Sequence, residues 1–220
     1  MNYLPLNPAT EIGYALVLLV YVLGIVGLTK LLYDAMRRRG FPHNVAVYYN
    51  RKVIHIFAGG VVALLVPKLF TTPTIPLALA LLLTVFVYMP HRTGKLMYWF
   101  QVEDNMFEVN FTLMWGLAVF LLWVLFQNPY IAIVPPAFMA FGDAVTGVVR
   151  NTLYRRRTKH WIGNIAMAAV TIPLGYVYAG LPGALAGAVA SFVERYEFPP
   201  IDDNVLITLS SIAILMVWYV

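Results

Sequence analysis

Two carboxylates and an amide, Asp202-Asp203-Asn204, follow Ile201 and the Pro199-Pro200 pair and directly precede a last apolar run. Charge this close to hydrocarbon is costly and usually has a function. Neighbouring carboxylates also suit a hard divalent cation, which takes oxygen ligands. Asp143 lies within the apolar stretch Phe141-Gly142-Asp143-Ala144, seven residues before Arg150, hence roughly 10 Å below the end of a helix. An intramembrane Asp is a functional candidate by default, against the plainer reading of a structural ion pair. Arg51-Lys52-Val53-Ile54-His55 opens an apolar segment with positions 51 and 55 one turn apart on one face, and Gly59 a further turn along. Such bases hold a polyphosphate, Arg through a bidentate fork; alone they would equally serve as a membrane anchor. His55, inside the apolar stretch, favours function. Glu108 and Asn110 stand close to the next apolar run and need partners there, whereas Glu103 and Asp104 read as a solvated loop. Lys159, Gly163 and Asn164 fall where a helix N-terminus offers free N–H groups to a phosphate. The preceding Arg155-Arg156-Arg157 reads as an anchor or lipid-headgroup contact, and Glu194 as orienting a base or cation, or else pairing near Arg195 or facing solvent.

The elements that must position these groups are membrane helices. Of the 220 residues 61% are hydrophobic, and the mean hydropathy is +0.76. That composition indicates an all-α integral membrane protein, a single polytopic domain over 1–220. Eight helices are expected, at about 12–35, 53–66, 75–89, 109–126, 131–149, 164–178, 182–193 and 205–220. Pro67, Pro73-Thr74, Asn128-Pro129 and Gly180 to Gly183 punctuate the joints. Gly183, Gly187 and Ser191 form a small-residue stripe suited to close helix packing. Basic residues follow the first, third, fifth and seventh helices, while the opposite loops hold only Lys68. The positive-inside rule then puts both termini outside, the basic loops in the cytoplasm and the polar site on the cytoplasmic side of the cell membrane. The net charge of +5 is explained by topology and by headgroups or phosphates, with no nucleic-acid partner expected. The absence of cysteine excludes disulfides and thiolate metal sites. Met1-Asn2-Tyr3-Leu4-Pro5 lacks the basic region of a cleavable signal, so the first helix is expected to be retained.

No Gly-x-x-x-x-Gly-Lys phosphate loop, His-Glu-x-x-His zinc motif or Gly-x-Ser-x-Gly elbow occurs, and no further Asp follows as in the aspartate-rich prenyltransferase signature. Taken in order, Arg51-Lys52-x-x-His55 with Gly59, Gly142-Asp143-Ala144, Lys159-x-x-x-Gly163, Glu194 and Ile201-Asp202-Asp203-Asn204 resemble the CTP-dependent polyprenol kinase family. That family includes dolichol kinase, phytol kinase and the fungal CTP-dependent diacylglycerol kinase. The likeness runs from Arg51 to Leu209, and Lys159-x-Trp161-x-Gly163 looks most like the phytol-kinase and archaeal branch. His160 and Asn164 stand where family members often have Ser, and Ser or Thr.

The resemblance implies transfer of the γ-phosphate of CTP to the hydroxyl of a membrane isoprenoid alcohol. Mg²⁺ would be held by Asp143 with Asp202 or Asp203, and Asn204 would add an oxygen. Arg51, Lys52 and Lys159, with Gly163 and Asn164, would hold the nucleotide. His55 or Glu108 would accept the alcohol proton. Two other readings remain open. One is a cytidylyltransferase that makes a CDP-lipid with the same groups. The other is an ion-coupled transporter using Asp143 and Glu108, which would want acids along a path, whereas all but Glu11 cluster toward one side.

Overall fold

The computed structural model describes residues 4–154, 158–198 and 201–219. The first three residues, the arginine run at 155–157, the proline pair at 199–200 and position 220, the end of the expected eighth helix, lie outside the described residues. No strand occurs among the described residues; Phe198 and Ile201 alone form an isolated bridge. We number the helices α1 (Pro8–Arg38), α2 (His43–Leu69), α3 (Thr74–Thr93), α4 (Phe107–Phe126), α5 (Pro129–Tyr154), α6 (Trp161–Val193) and α7 (Asp203–Tyr219). Their ends follow local chemistry. Prolines occupy the first turns of α1 and α5, where a missing N–H costs nothing. Asn128 caps α5 by accepting from the N–H groups of Tyr130 and Ile131, and His160 caps α6 by accepting from Ile162. Gly94, at φ 70°, ends α3 in the left-handed region.

The exposed surface identifies the solvent. Helix α1 buries one stripe, Ala15, Leu18, Val22, Val26, Thr29 and Tyr33, at spacings of three and four. Its other faces present Leu16, Val17, Val20, Leu28 and Leu31 outward. An apolar face of this kind belongs against lipid. Between helices, where lipid gives no hydrophobic drive, the ties are polar. Asn50 donates to the carbonyls of Thr29 (2.6 Å) and Trp99 (2.9 Å), and Thr84 to Thr112 (3.0 Å).

Six helices, α1 to α6, are long and apolar enough to cross a membrane by length and composition, fewer than the eight segments expected. The difference lies in α6 and α7. Helix α7 has 17 residues and is shorter than the spans. Helix α6 counts once, yet its backbone leaves helical geometry at Ala179 and at Gly180 (φ 60°, ψ −147°). Thr171 donates to the Gly187 carbonyl at 2.8 Å. Sixteen residues along a straight helix would separate these groups by about 24 Å. The helix therefore folds back, and limbs 161–178 and 181–193 lie side by side. Gly175 and Gly183 meet at the crossing, each where a Cβ would strike the other's carbonyl.

Helix α2 departs further from expectation. It begins at His43, ten residues before 53, so Arg51 and Lys52 lie within the helix and are buried instead of opening it. The polar composition of 43–52 hides a packing face: Ala46 and Val47 close against Tyr33 of α1 and Trp99. Two π-helical turns interrupt the bundle, His55–Gly60 in α2 and Phe138–Gly142 in α5. They pack on each other, with Phe141 against Gly60. The first frees the Gly59 carbonyl to accept from Trp115 Nε1 at 3.1 Å.

Replacing Gly183 with Leu should separate the two limbs and abolish the folded, monodisperse protein on size-exclusion chromatography. Thr171→Val, which removes the hydroxyl's bonds to the Gly187 and Met167 carbonyls, should cost about 1 kcal/mol in thermal unfolding.

Candidate functional site: a buried acidic centre between two cavities

The middle of α2, the middle of α5, the base of α6 and the start of α7 converge on one cluster of charges. Lys52 Nζ donates to both oxygens of Asp143 at 2.6 Å. Gly147, one turn beyond Asp143, leaves the space through which the Lys52 side chain passes; a Cβ there would collide with it. His55 Nδ1 lies 3.2 Å from Asp143 Oδ2 but off the line of a hydrogen bond, so the contact is electrostatic. The His55 ring stacks on Phe111, centroids 4.1 Å apart. The π turns set this meeting: His55 begins one, and Asp143 follows the other. Such turns recur at functional positions.

The second half of the centre is built on Arg150, two turns beyond Asp143. It donates to Glu194 Oε1 (2.7 Å), Asn164 Oδ1 (3.0 Å) and the His160 carbonyl (2.8 Å). Asn164 donates in turn to the Ser191 carbonyl and to Glu194 Oε2 (3.3 Å). Gly163 lies flat against the Arg150 guanidinium, where a side chain would clash. Lys159 reaches Asp203 Oδ2 (2.8 Å), Glu197 Oε1 (3.1 Å) and Glu194 Oε1 (3.2 Å), and also donates to the Glu194 carbonyl (2.8 Å). Burial alone would lower the Lys159 pKa. Asp203, Glu194 and Glu197 more than reverse that, raising it, so the ammonium stays charged.

Asp143, Glu194 and Asp203 each bring a carboxylate oxygen within 4.8 Å of the others. Three buried hard donors at this spacing fit a divalent cation of the Mg²⁺ type. The expected set was Asp143, Asp202, Asp203 and Asn204. Asp143 and Asp203 do come together, joined by Glu194. Asp202 instead caps α7: its Oδ1 accepts from Val205 N at 3.2 Å. Burial and the neighbouring Asp203 push its pKa up to about 6. Asn204 donates to the Phe107 carbonyl (3.3 Å) and to Asp202 Oδ2 (3.2 Å), while its own buried Oδ1 has no partner.

Two cavities flank this centre. An apolar one of about 100 Å³ runs between α1, α2, α3 and α4, from Phe70 and Pro76 to Phe100 and Glu108. Its few polar residues are His55, Glu108 and Thr112. Glu108 Oε1 accepts from His91 Nε2 (2.5 Å) and Gln101 Nε2 (2.7 Å), whereas its buried Oε2 has no partner. A polar cleft of about 260 Å³ lies on the other side of α2, lined by Tyr48, Arg51, Asp104, Phe107 and Asn151 among others. Arg51 stacks over the Phe107 ring, 3.8 Å from its centroid.

The sequence reading named the acids and bases but missed several partners. His91 and Gln101 hold Glu108, and Asn151 faces the cleft. Arg150 was read only as a loop charge. Its spacing of two turns from Asp143, which places both on one face of α5, was the available signal. Comparison with known proteins finds no matching family model, no similar curated protein and no similar solved structure.

Arg150→Met should destabilise the protein by about 3–5 kcal/mol, because Glu194 is left buried without its guanidinium; thermal or denaturant unfolding in detergent measures this, and Arg150→Met/Glu194→Gln should recover part of the loss. The raised pKa of Asp202 stabilises the fold below the unfolded value of about 4, and this contribution is lost as pH rises through about 6. Asn caps a helix as well as Asp. Metal-free Asp202→Asn should therefore melt above wild type at pH 7.5, and the gap should close by pH 4.

Proposed function

We propose that this protein is a membrane-embedded kinase of lipid alcohols, taking the terminal phosphate of a nucleoside triphosphate, CTP by the family resemblance, to an isoprenoid hydroxyl. One observation carries the reading: His55 lines the apolar cavity and also stands 3.2 Å from Asp143 in the acidic centre. A single side chain thus joins the space suited to a lipid with the groups suited to phosphate and metal. The orphaned Glu108 Oε2 at the same end of the cavity asks for a hydrogen-bond donor on the lipid, which a hydroxyl supplies.

In this mechanism Asp143, Asp203 and Glu194 hold Mg²⁺, which neutralises charge on the phosphates when bound. Lys52 and Lys159, now paired with those carboxylates, turn to the triphosphate. Arg51, next to Lys52, faces the adjoining cleft. The alcohol's O–H donates to Glu108 on binding and turns to His55 as its oxygen lines up for in-line attack on the γ-phosphorus. The bond from that phosphorus to the bridging oxygen breaks, and nucleoside diphosphate leaves. His55 takes the alcohol proton, which a loose phosphoryl-transfer transition state requires only late. The positive-inside pattern supports a cytoplasmic position for the centre, open to nucleotide, with both termini outside.

Purified protein with γ-labelled CTP, Mg²⁺ and a panel of isoprenoid alcohols and diacylglycerol should yield labelled lipid phosphate and CDP. Release of pyrophosphate with a phosphatidic acid would instead identify a cytidylyltransferase, and transfer from no nucleotide by folded protein would refute the kinase. Asp203→Asn should reduce transfer roughly 100-fold or more while remaining folded, because Lys159 keeps Glu194 and Glu197. His55→Gln should remove the acidic limb of the pH–rate profile, and Glu108→Gln should chiefly raise KM for the alcohol.

A further inference from the structure

The cleft beyond α2 holds buried donors that the rest of the protein leaves unused. Arg51 is 7% exposed, and Asn151 is 3% exposed. Arg51 Nε and Asn151 Nδ2 are both buried without a hydrogen-bond partner. Lys52, Arg150 and Lys159 each pair with a carboxylate of the centre, but Arg51 forms no ion pair among the described residues. Among the described residues its close compensation is the face of Phe107. A buried guanidinium and amide with idle N–H groups are costly unless a ligand with acceptors completes them.

Two features decide which part of a ligand enters. Arg51 is the only permanently charged base among the described residues lining the cleft, and Asp104 lines it with a negative charge. One cation facing one anion does not suit a polyphosphate. A neutral, acceptor-bearing group fits better, and the rings of Phe107 and Tyr48 offer it aromatic walls. Position decides the rest. Tyr48 lines the cleft and also lies beneath Lys52, whose Nζ is 5.0 Å from its ring centroid. Arg51 adjoins Lys52 in the chain. A molecule seated in the cleft therefore reaches Lys52 and the acidic centre with its far end.

We infer that the cleft lined by Tyr48, Arg51, Phe107 and Asn151 is the nucleoside subsite of the phosphoryl donor, with Arg51 and Asn151 donating to acceptors on the base or ribose. The inference rests on the kinase reading of the adjoining centre. It divides the donor between two compartments: the nucleoside on one side of α2, the phosphates at Lys52, Lys159 and the acids.

The test compares binding of MgCTP, MgATP and magnesium tripolyphosphate to the detergent-solubilised full chain by calorimetry. Tripolyphosphate carries the phosphates without a nucleoside. Wild type should bind at least one of the nucleotides about tenfold or more tighter than tripolyphosphate, a margin set by the subsite hydrogen bonds. Asn151→Leu keeps the volume and removes an unsatisfied amide, so the ligand-free variant should melt no lower than wild type. It should lose the nucleotide margin and leave tripolyphosphate binding unchanged. Arg51→Lys, which keeps the charge but not the fork, should reproduce that loss. A margin that survives both substitutions overturns the subsite and leaves the kinase reading standing. Equal weakening of tripolyphosphate assigns the cleft to phosphate and overturns the inference as well. Wild-type protein that binds neither nucleotide nor tripolyphosphate refutes the kinase reading itself, and this inference with it.

Discussion

The ion pair between Lys52 and Asp143 is the constraint around which the rest is arranged. Isolated charges at this depth would be neutralised by proton transfer or would unfold the site. Here each carboxylate of the acidic centre has its own base: Lys52 for Asp143, Arg150 for Glu194, Lys159 for Asp203. The pairs come from α2, α5, the two flanks of α6 and the start of α7, so charge neutrality and helix packing are one requirement. Gly147 and Gly163 belong to the same requirement, since both keep side chains out of the paths of Lys52 and Arg150.

The bases are not equivalent. Arg150 is fully engaged, with its guanidinium on Glu194, Asn164 and a backbone carbonyl, and acts as a frame. Asn164 and Gly163 belong to that frame in the ligand-free protein. Lys52 and Lys159 are flexible ammonium groups that can change partners without backbone movement. In the proposed mechanism a divalent cation would take the place of the lysines at the carboxylates, and the lysines would turn to the phosphates.

Much of this was legible in the sequence because it depended on composition and local spacing. Apolar runs separated by Pro and Gly gave the helices, and the isolated polar residues within them gave the acids and bases. What was hidden depended on long-range contact. Asp202 and Asp203 are neighbours in the chain, yet one caps a helix and the other faces Lys159, a division no dipeptide reveals. Glu194 could be read as orienting a base or as facing solvent, and only the fold-back of α6, which carries it to Arg150, 44 positions away, decides between them. The polar stretch 43–52 read as a loop because its small packing face at Ala46 and Val47 finds its partners only in Tyr33 and Trp99. The π turns left no mark in hydrophobic periodicity.

The fold-back of α6 also fixes a depth. Its second limb, 181–193, has thirteen residues and rises about 20 Å. The hydrocarbon core is about 30 Å thick. With the turn at one surface of the bilayer, Glu194 stops roughly 10 Å short of the other. The acidic centre is then a well sunk below the level of the headgroups. On the proposed kinase reading, a lipid hydroxyl would meet it without lifting its tail out of the membrane, and the water-soluble reactant would be the one to descend.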